Sequence, residues 1–157
     1  MGFPTPDTSN GFLKDHVELL LSSFKHWTGR EILEKDFSLE QQAHDLFYAP
    51  FAVASHDTCE DPVLNYGNQT ALDLWETSWE EFTRMPSRLT AEAVIREERK
   101  RLLEKVNTDG FIDDYRGVRI STKGKRFMIE KATVWNLINA AGDYRGQAVV
   151  FSEWKYI

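Results

Sequence analysis

Three extended runs crowd the carboxyl-terminal third of the chain and fix the kind of sheet it can build. Phe111 to Ser121, Arg126 to Ile138 and Tyr144 to Tyr156 each read as strands, and only Thr122-Lys123-Gly124-Lys125 and Asn139-Ala140-Ala141-Gly142-Asp143 separate them. Gly, Asn and Asp at these junctions are turn residues. Connections this short cannot carry a parallel crossover, so the three runs are expected to pair antiparallel, as a meander. Apolar and polar residues do not alternate cleanly along them, and a sheet covered on both faces blurs the alternation in this way. The rest of the chain must then supply two covers.

It has the helices to do so. Residues 1–11, rich in Pro, Gly, Ser, Thr and Asn, are expected to form a flexible lead. Phe12 to Trp27 places Leu13, Val17, Leu20, Phe24 and Trp27 on one helical face, and Gly29 stops it. A second helix is expected from Leu39 to Tyr48, with Ser38 as its N-cap and Pro50 as its end. Residues 12–49 thus read as an amino-terminal helical extension. From residue 50 the texture changes. Phe51 to His56 and Val63 to Tyr66 read as strands on either side of Asp61-Pro62. Asn68 to Glu76 reads as a short helix burying Leu72 and Trp75, and Ser78 caps another that carries Trp79 and Phe82 and stops at Pro86. Thr90 is expected to open a longer helix through Val106, where Val94, Ile95, Leu102, Leu103 and Val106 recur at helical spacing before Asp109-Gly110. Two strands, helices across one face and three more strands is the order of a PAS-type sheet. The expectation is an α+β fold: a five-stranded antiparallel sheet with helices on one face, the amino-terminal extension covering the other, and residues 50–157 as the PAS-like domain.

Composition narrows the partners. The chain is 41% hydrophobic and 13% aromatic, with five Trp and ten Phe, which a disordered chain could not be. Such aromatic richness fits a heavy core, a lined pocket or a partner surface. The formal net charge of -6 argues against nucleic acid, because phosphate binding needs a basic face. The dense basic run Arg96 to Arg101 is laced with acids, and Glu97 and Arg101 stand four apart, as on a solvated helix. Cys59 is the only cysteine, so no internal disulfide can form. No signal-like start and no apolar run of membrane length is present. The expectation is a cytoplasmic protein with neither a nucleic-acid nor a membrane partner.

Several blocks carry a family resemblance: Ser55-His56-Asp57, Asp61-Pro62-Val63-Leu64-Asn65-Tyr66-Gly67-Asn68, Trp79-Glu80-Glu81-Phe82 and Pro86-Ser87-Arg88-Leu89-Thr90-Ala91-Glu92. Gly124-Lys125-Arg126-Phe127, Val134-Trp135-Asn136-Leu137 and Gly146-Gln147-Ala148 extend it. From about Phe51 onward the chain resembles the MEKHLA domain, a PAS-like module. That module ends the class III homeodomain–leucine zipper factors of plants and also stands alone in bacteria and algae. No homeodomain or zipper is present here, so DNA binding does not come with the resemblance. What it implies is a sensory or interaction role with control of dimerisation, and no particular ligand. Light-sensing PAS relatives place a reactive Cys just after the short helices. Here that stretch is Arg84-Met85-Pro86-Ser87-Arg88-Leu89, so no covalent flavin adduct is expected. Haem-binding relatives supply an axial His from the long helix, where this chain has none, and its four His residues lack metal-ligand spacing, so neither haem nor a metal is expected.

The candidate ligand-binding residues are Tyr66, Asn68, Ser87, Arg88, Tyr115, Arg119 and Trp135, with His56 and Asp57 at a rim. In the functional reading, Tyr66, Arg88, Tyr115 and Trp135 gather around a small anionic ligand, and Arg88 anchors it through a forked hydrogen bond. In the structural reading, Arg88 pairs with Asp113 or Asp114 and the aromatics are core. Asn68 could simply cap a helix. Tyr115 and Arg119 are expected on one strand face with Asp113. Cys59 is read as a buried apolar filler rather than a nucleophile. The alternative to a binding module is a small enzyme using His56, Asp57 and Asp114 as acid–base groups. A homodimer is expected through the amino-terminal helix or the outer sheet face.

Overall fold

The computed structural model describes residues 2–33, 37–92 and 96–157, with the backbone alone at Arg96 and Arg99. Helices Lys14–Thr28 (α1) and Leu39–Phe47 (α2) lead into strands Ala52–His56 (β1) and Leu64–Gly67 (β2). Gln69–Leu74 (α3), Trp79–Phe82 (α4) and Arg96–Asp109 (α5) follow. Phe111–Ile120 (β3), Arg126–Ile138 (β4), Tyr144–Phe151 (β5) and Glu153–Tyr156 (β6) complete the order.

These strands form one antiparallel sheet in the order β2-β1-β5-β4-β3, with β6 also on β4, six strands among the described residues. The third run of the meander breaks at Ser152, yet both halves keep one register on β4: Thr133 faces Val150 and Glu130 faces Glu153. Beside the break Lys131 holds φ 53°, which spoils the ladder locally. The sixth strand is therefore the far half of an expected one.

Side-chain caps set several helix starts. Ser38 accepts from the N–H of Gln41, Asn68 from that of Ala71 and Ser78 from that of Glu81. Gly29, at φ 72°, ends α1 and bonds back to the Lys25 carbonyl. The first helix begins two residues later than expected, because Phe12 (φ 54°) and Leu13 (φ 57°) are left-handed. Both close a 3-10 stretch, Thr8–Leu13, capped by Asp7, and the indole N–H of Trp79 donates to the Phe3 carbonyl. The long helix expected from Thr90 is divided instead. Ser87–Thr90 is a separate 3-10 turn, closed by the Thr90 hydroxyl on the Ser87 carbonyl and followed by an extended Ala91. Val94 and Ile95 lie outside the described residues.

The helices cover both faces. On the inner face, Trp75 and Phe82 pack with Phe127 and Phe151 from the sheet; the Trp75 ring stands 5.2 Å from that of Phe127. A Cβ on Gly67 would lie 2.6 Å from the Phe82 ring, so glycine is what lets Phe82 lie on the backbone of β2. On the outer face α1 buries Val17, Leu20 and Phe24, with the Phe24 ring edge-on to Trp135 at 5.0 Å. Two polar pins fix the helix to the end of β4. Trp27 Nε1 donates to the Asn136 carbonyl, and the Ser23 hydroxyl both donates to the Ile138 carbonyl and accepts from the Ile138 N–H.

Candidate functional site

Between the sheet and its inner helices lies a cavity of about 80 Å³. Its apolar wall includes Trp75 at the end of α3, Phe82 on α4, Leu102 and Leu103 on α5, and Ile129 and Val134 on β4. Its polar wall brings together His56 on β1, Gln147 on β5 and Arg119 on β3, with Ser87 and Thr90 from the 3-10 turn. Apolar walls with a few convergent polar groups are the make-up of small-molecule sites, although those for drug-sized ligands run to roughly 300–1,000 Å³. About 15 Å³ of this kind of space holds one water, so the cavity suits a small guest.

Strand pairing sets the polar groups abreast. Gln147 lies between His56 and Asn136, its Cα partners on β1 and β4. Its amide donates to Asn136 Oδ1 (3.3 Å), and Asn136 in turn donates to the Val106 carbonyl of α5 (3.2 Å). Arg119 is held from two sides. Nη1 donates to the Val118 carbonyl (2.9 Å), Nη2 donates to the Tyr115 hydroxyl (3.3 Å), and the guanidinium carbon stands 5.5 Å from the Tyr115 ring centre. Gly117 makes room for this pairing, since a Cβ there would lie 2.5 Å from the Tyr115 hydroxyl.

Residues 14–156 match the family model of the MEKHLA domain. The chain belongs to the MEKHLA domain family. No curated protein matches it. Its fold is that of PAS domains. It superposes on the PAS domain of a protein from Colwellia psychrerythraea with a TM-score of 0.64 at 16% identity, covering 76% of this chain and 96% of that one. An RNA-binding light-oxygen-voltage receptor gives 0.62 at 15% identity, over 76% of this chain but 34% of that one. A fungal light-oxygen-voltage photoreceptor domain gives 0.56 at 13% identity, over 90% and 91%.

Within this MEKHLA domain the expected site residues scatter, and β-bulges are a main reason. Tyr66 does not follow Leu64 to the cavity side. Both Asn65 and Tyr66 fit opposite Ser55, because the β1–β2 register shifts there. Tyr66 therefore packs under α1, 5.6 Å from the His16 ring, and against Trp79. Trp135, next to the cavity-lining Val134, points to the other face and meets Phe24. Among the described residues, neither the Tyr66 hydroxyl nor Nε1 of Trp75 and Trp135 has a hydrogen-bond partner. Burial holds the Tyr66 phenol well above its ordinary value. Asp113 parts from Tyr115 because Asp114, at φ 54°, adds a residue to β3. Asp113 turns outward to Arg30 and Thr133, while Tyr115 packs against the cluster of Leu102, Val106 and Val134.

The remaining expectations resolve individually. Arg88 is exposed and paired with Asp61, not with Asp113 or Asp114. Ser87 does line the cavity, and its N–H donates to the Pro62 carbonyl. Asn68 is wholly buried with its amide fully used: Oδ1 accepts from the N–H of Val53 and Ala71, and Nδ2 donates to the carbonyls of Leu46 and Phe51. It holds the fold and has nothing left for a ligand.

The acid–base trio is not assembled. Asp57 Oδ1 accepts from the N–H of Cys59 and Val63, so it closes its own loop. Burial alone would raise that carboxyl, but these N–H donors outweigh it and hold it below its ordinary value. Asp114 lies on the edge strand β3, with β5 and β4 between it and β1. Cys59 is exposed rather than buried, with Sγ 3.4 Å from Asp57 Oδ2, and that hydrogen bond and negative charge raise its thiol.

Sequence reasoning missed Gln147, Thr90 and the buried pair His16–Ser55. A glutamine at the head of the apolar run Ala148–Phe151 was a visible signal for the first. No local pattern marks the last. His16 Nε2 lies 2.9 Å from Ser55 Oγ, which donates to Asn65 Oδ1, and Ser55 also lines the cavity.

Proposed function

We propose that this MEKHLA domain is a cytoplasmic sensory module of PAS type that takes up a small molecule in its inner cavity and reports occupancy through α1. The observation that carries the reading is the cavity, where Ser55, His56, Ser87, Thr90, Arg119 and Gln147 converge on an otherwise apolar space. Ser55 gives the route outward, since the residue that lines the cavity also holds His16 of α1 across the sheet. A guest that shifts β1 changes how firmly α1 is seated, and a loosened α1 frees the outer face for self-association. The structural neighbours named as light-oxygen-voltage receptors support a sensory role. A binding role is favoured over catalysis because, among the described residues, His56, Asp57 and Asp114 do not come together as acid–base groups.

The test is a chemically mixed fragment library titrated into the isotope-labelled chain and followed by amide NMR. Saturable shifts are expected to cluster at Ala54, Ile129, Gln147 and Val149. Val149→Phe, which puts a ring into the space, is expected to abolish them while the spectrum stays dispersed. Shifts that never reach those amides, or that persist unchanged in a folded Val149→Phe chain, would reject the reading.

A further inference from the structure

We infer that the guest is an organic acid, a carboxylate on a small apolar body whose charged end is taken by Arg119. The inference rests on the cavity being a binding site. Five other arginines already have carboxylates: Arg30 with Asp113, Arg88 with Asp61, Arg116 with Glu130, Arg126 with Glu92 and Arg145 with Asp143. Among the described residues Arg119 has none, and its partners are a carbonyl and a phenol, both neutral. Among the described residues no Asp or Glu lines the cavity, although the chain as a whole carries a net charge of -6. The wall thus holds one always-ionised cation and no built-in counter-charge. A half-buried guanidinium without a counterion is costly, and an incoming carboxylate removes that cost.

The geometry favours a carboxylate. Tyr115 and the Val118 carbonyl fix the plane of the guanidinium and use two of its N–H groups, leaving the others for a planar acceptor pair. Little side-chain freedom remains to be lost on binding. Around the rest of the space stand Phe82, Leu102, Leu103, Ile129 and Val134, which cannot solvate a bare inorganic ion. They suit a hydrocarbon chain or ring attached to the charged end.

The experiment compares matched pairs on the whole chain by the same amide shifts: benzoate against benzamide, and hexanoate against hexanamide. Each acid is expected to bind about tenfold or more tighter than its amide, the worth of one charged hydrogen-bonded contact. Arg119→Gln is expected to erase that preference, leaving acid and amide of each pair with like affinities. Arg119→Lys should keep part of it, and Tyr115→Phe should weaken it by unpinning the guanidinium. Amides binding as well as acids would overturn the inference, as would a preference that survives Arg119→Gln. If neither pair reaches the cavity while other fragments do, the acid assignment falls and the binding module stands. If no fragment of any class reaches it, both fall.

Discussion

His16 sits on α1 with its imidazole among neutral groups: the Ser55 hydroxyl 2.9 Å from Nε2, the Phe3 ring at 5.0 Å and the Tyr66 ring at 5.6 Å. Ser55 donates its proton to Asn65, so the neutral imidazole carries its own proton on Nε2 and donates to Ser55. Burial without a counter-charge lowers the His16 pKa from 6.5 to about 4. The unfolded chain then binds a proton that the folded chain refuses between those two values. Stability should therefore be whole above pH 6.5 and fall as the pH drops toward 4, by about 3 kcal/mol in all. Urea melts across that window would show it, and His16→Gln should flatten this part of the slope. A slope unchanged by His16→Gln would assign the acid sensitivity to other groups. Asn68 gives a second prediction of the same kind. Asn68→Ala takes a partner from four backbone groups at once, three of these bonds buried and the fourth half-buried, and about 4 kcal/mol should be lost. A urea midpoint close to that of the parent chain would contradict it.

Strand junctions depend on backbones that only particular residues permit. Gly146 has φ 129°, and a Cβ there would lie 2.1 Å from the His56 carbonyl oxygen, the backbone of the neighbouring strand. Gly124 has φ 82° with no atom within 4 Å of the same built position. Gly124→Ala should then cost about 1 kcal/mol of left-handed strain. Gly146→Ala should cost several times more, because β1 and β5 must part where Gln147 faces the cavity. Thermal melts of the two variants side by side decide it, and equal costs would mean that the close approach carries no weight. The same elements mark how far the sequence could be read. The existence of β1 to β5 was legible, since Gly, Asn, Asp and Pro punctuate apolar runs and such residues have few other places to go. Which way side chains face was not. Alternation assumes a residue-for-residue ladder, and the extra residues at Asn65–Tyr66 and at Asp114 turn Tyr66 and Asp113 to the opposite side from the one counted. Cap chemistry at Ser38, Asn68 and Ser78 was legible because it is local; the Arg119–Tyr115 pin was half-legible, with both residues visible but not the cavity they serve.

Cavity and cover are properties of the whole molecule, assembled from elements distant in the chain, and α1 belongs to both. Its apolar stripe could serve as an intramolecular cover or as an interface with a second copy. The stripe is already occupied: Val17, Leu20 and Phe24 are buried on the outer face, and Trp27 and Ser23 spend their polar atoms on β4. Uncovering it would expose Tyr66 and Trp135, both fully buried now. Removing residues 1–28 should therefore lower the thermal midpoint and bring concentration-dependent association, seen by light scattering on a sizing column. Phe24→Ala should do the first without the second, costing about 3–5 kcal/mol through the space left against Trp135. If cavity and cover communicate, Ser55→Ala should also uncouple them, leaving a guest still bound but no longer altering association of the full chain. A deletion that left both the melting point and the monomer unchanged would place α1 outside the folding unit. The route from cavity to Ser55 to His16 would then end at a helix whose seating affects nothing.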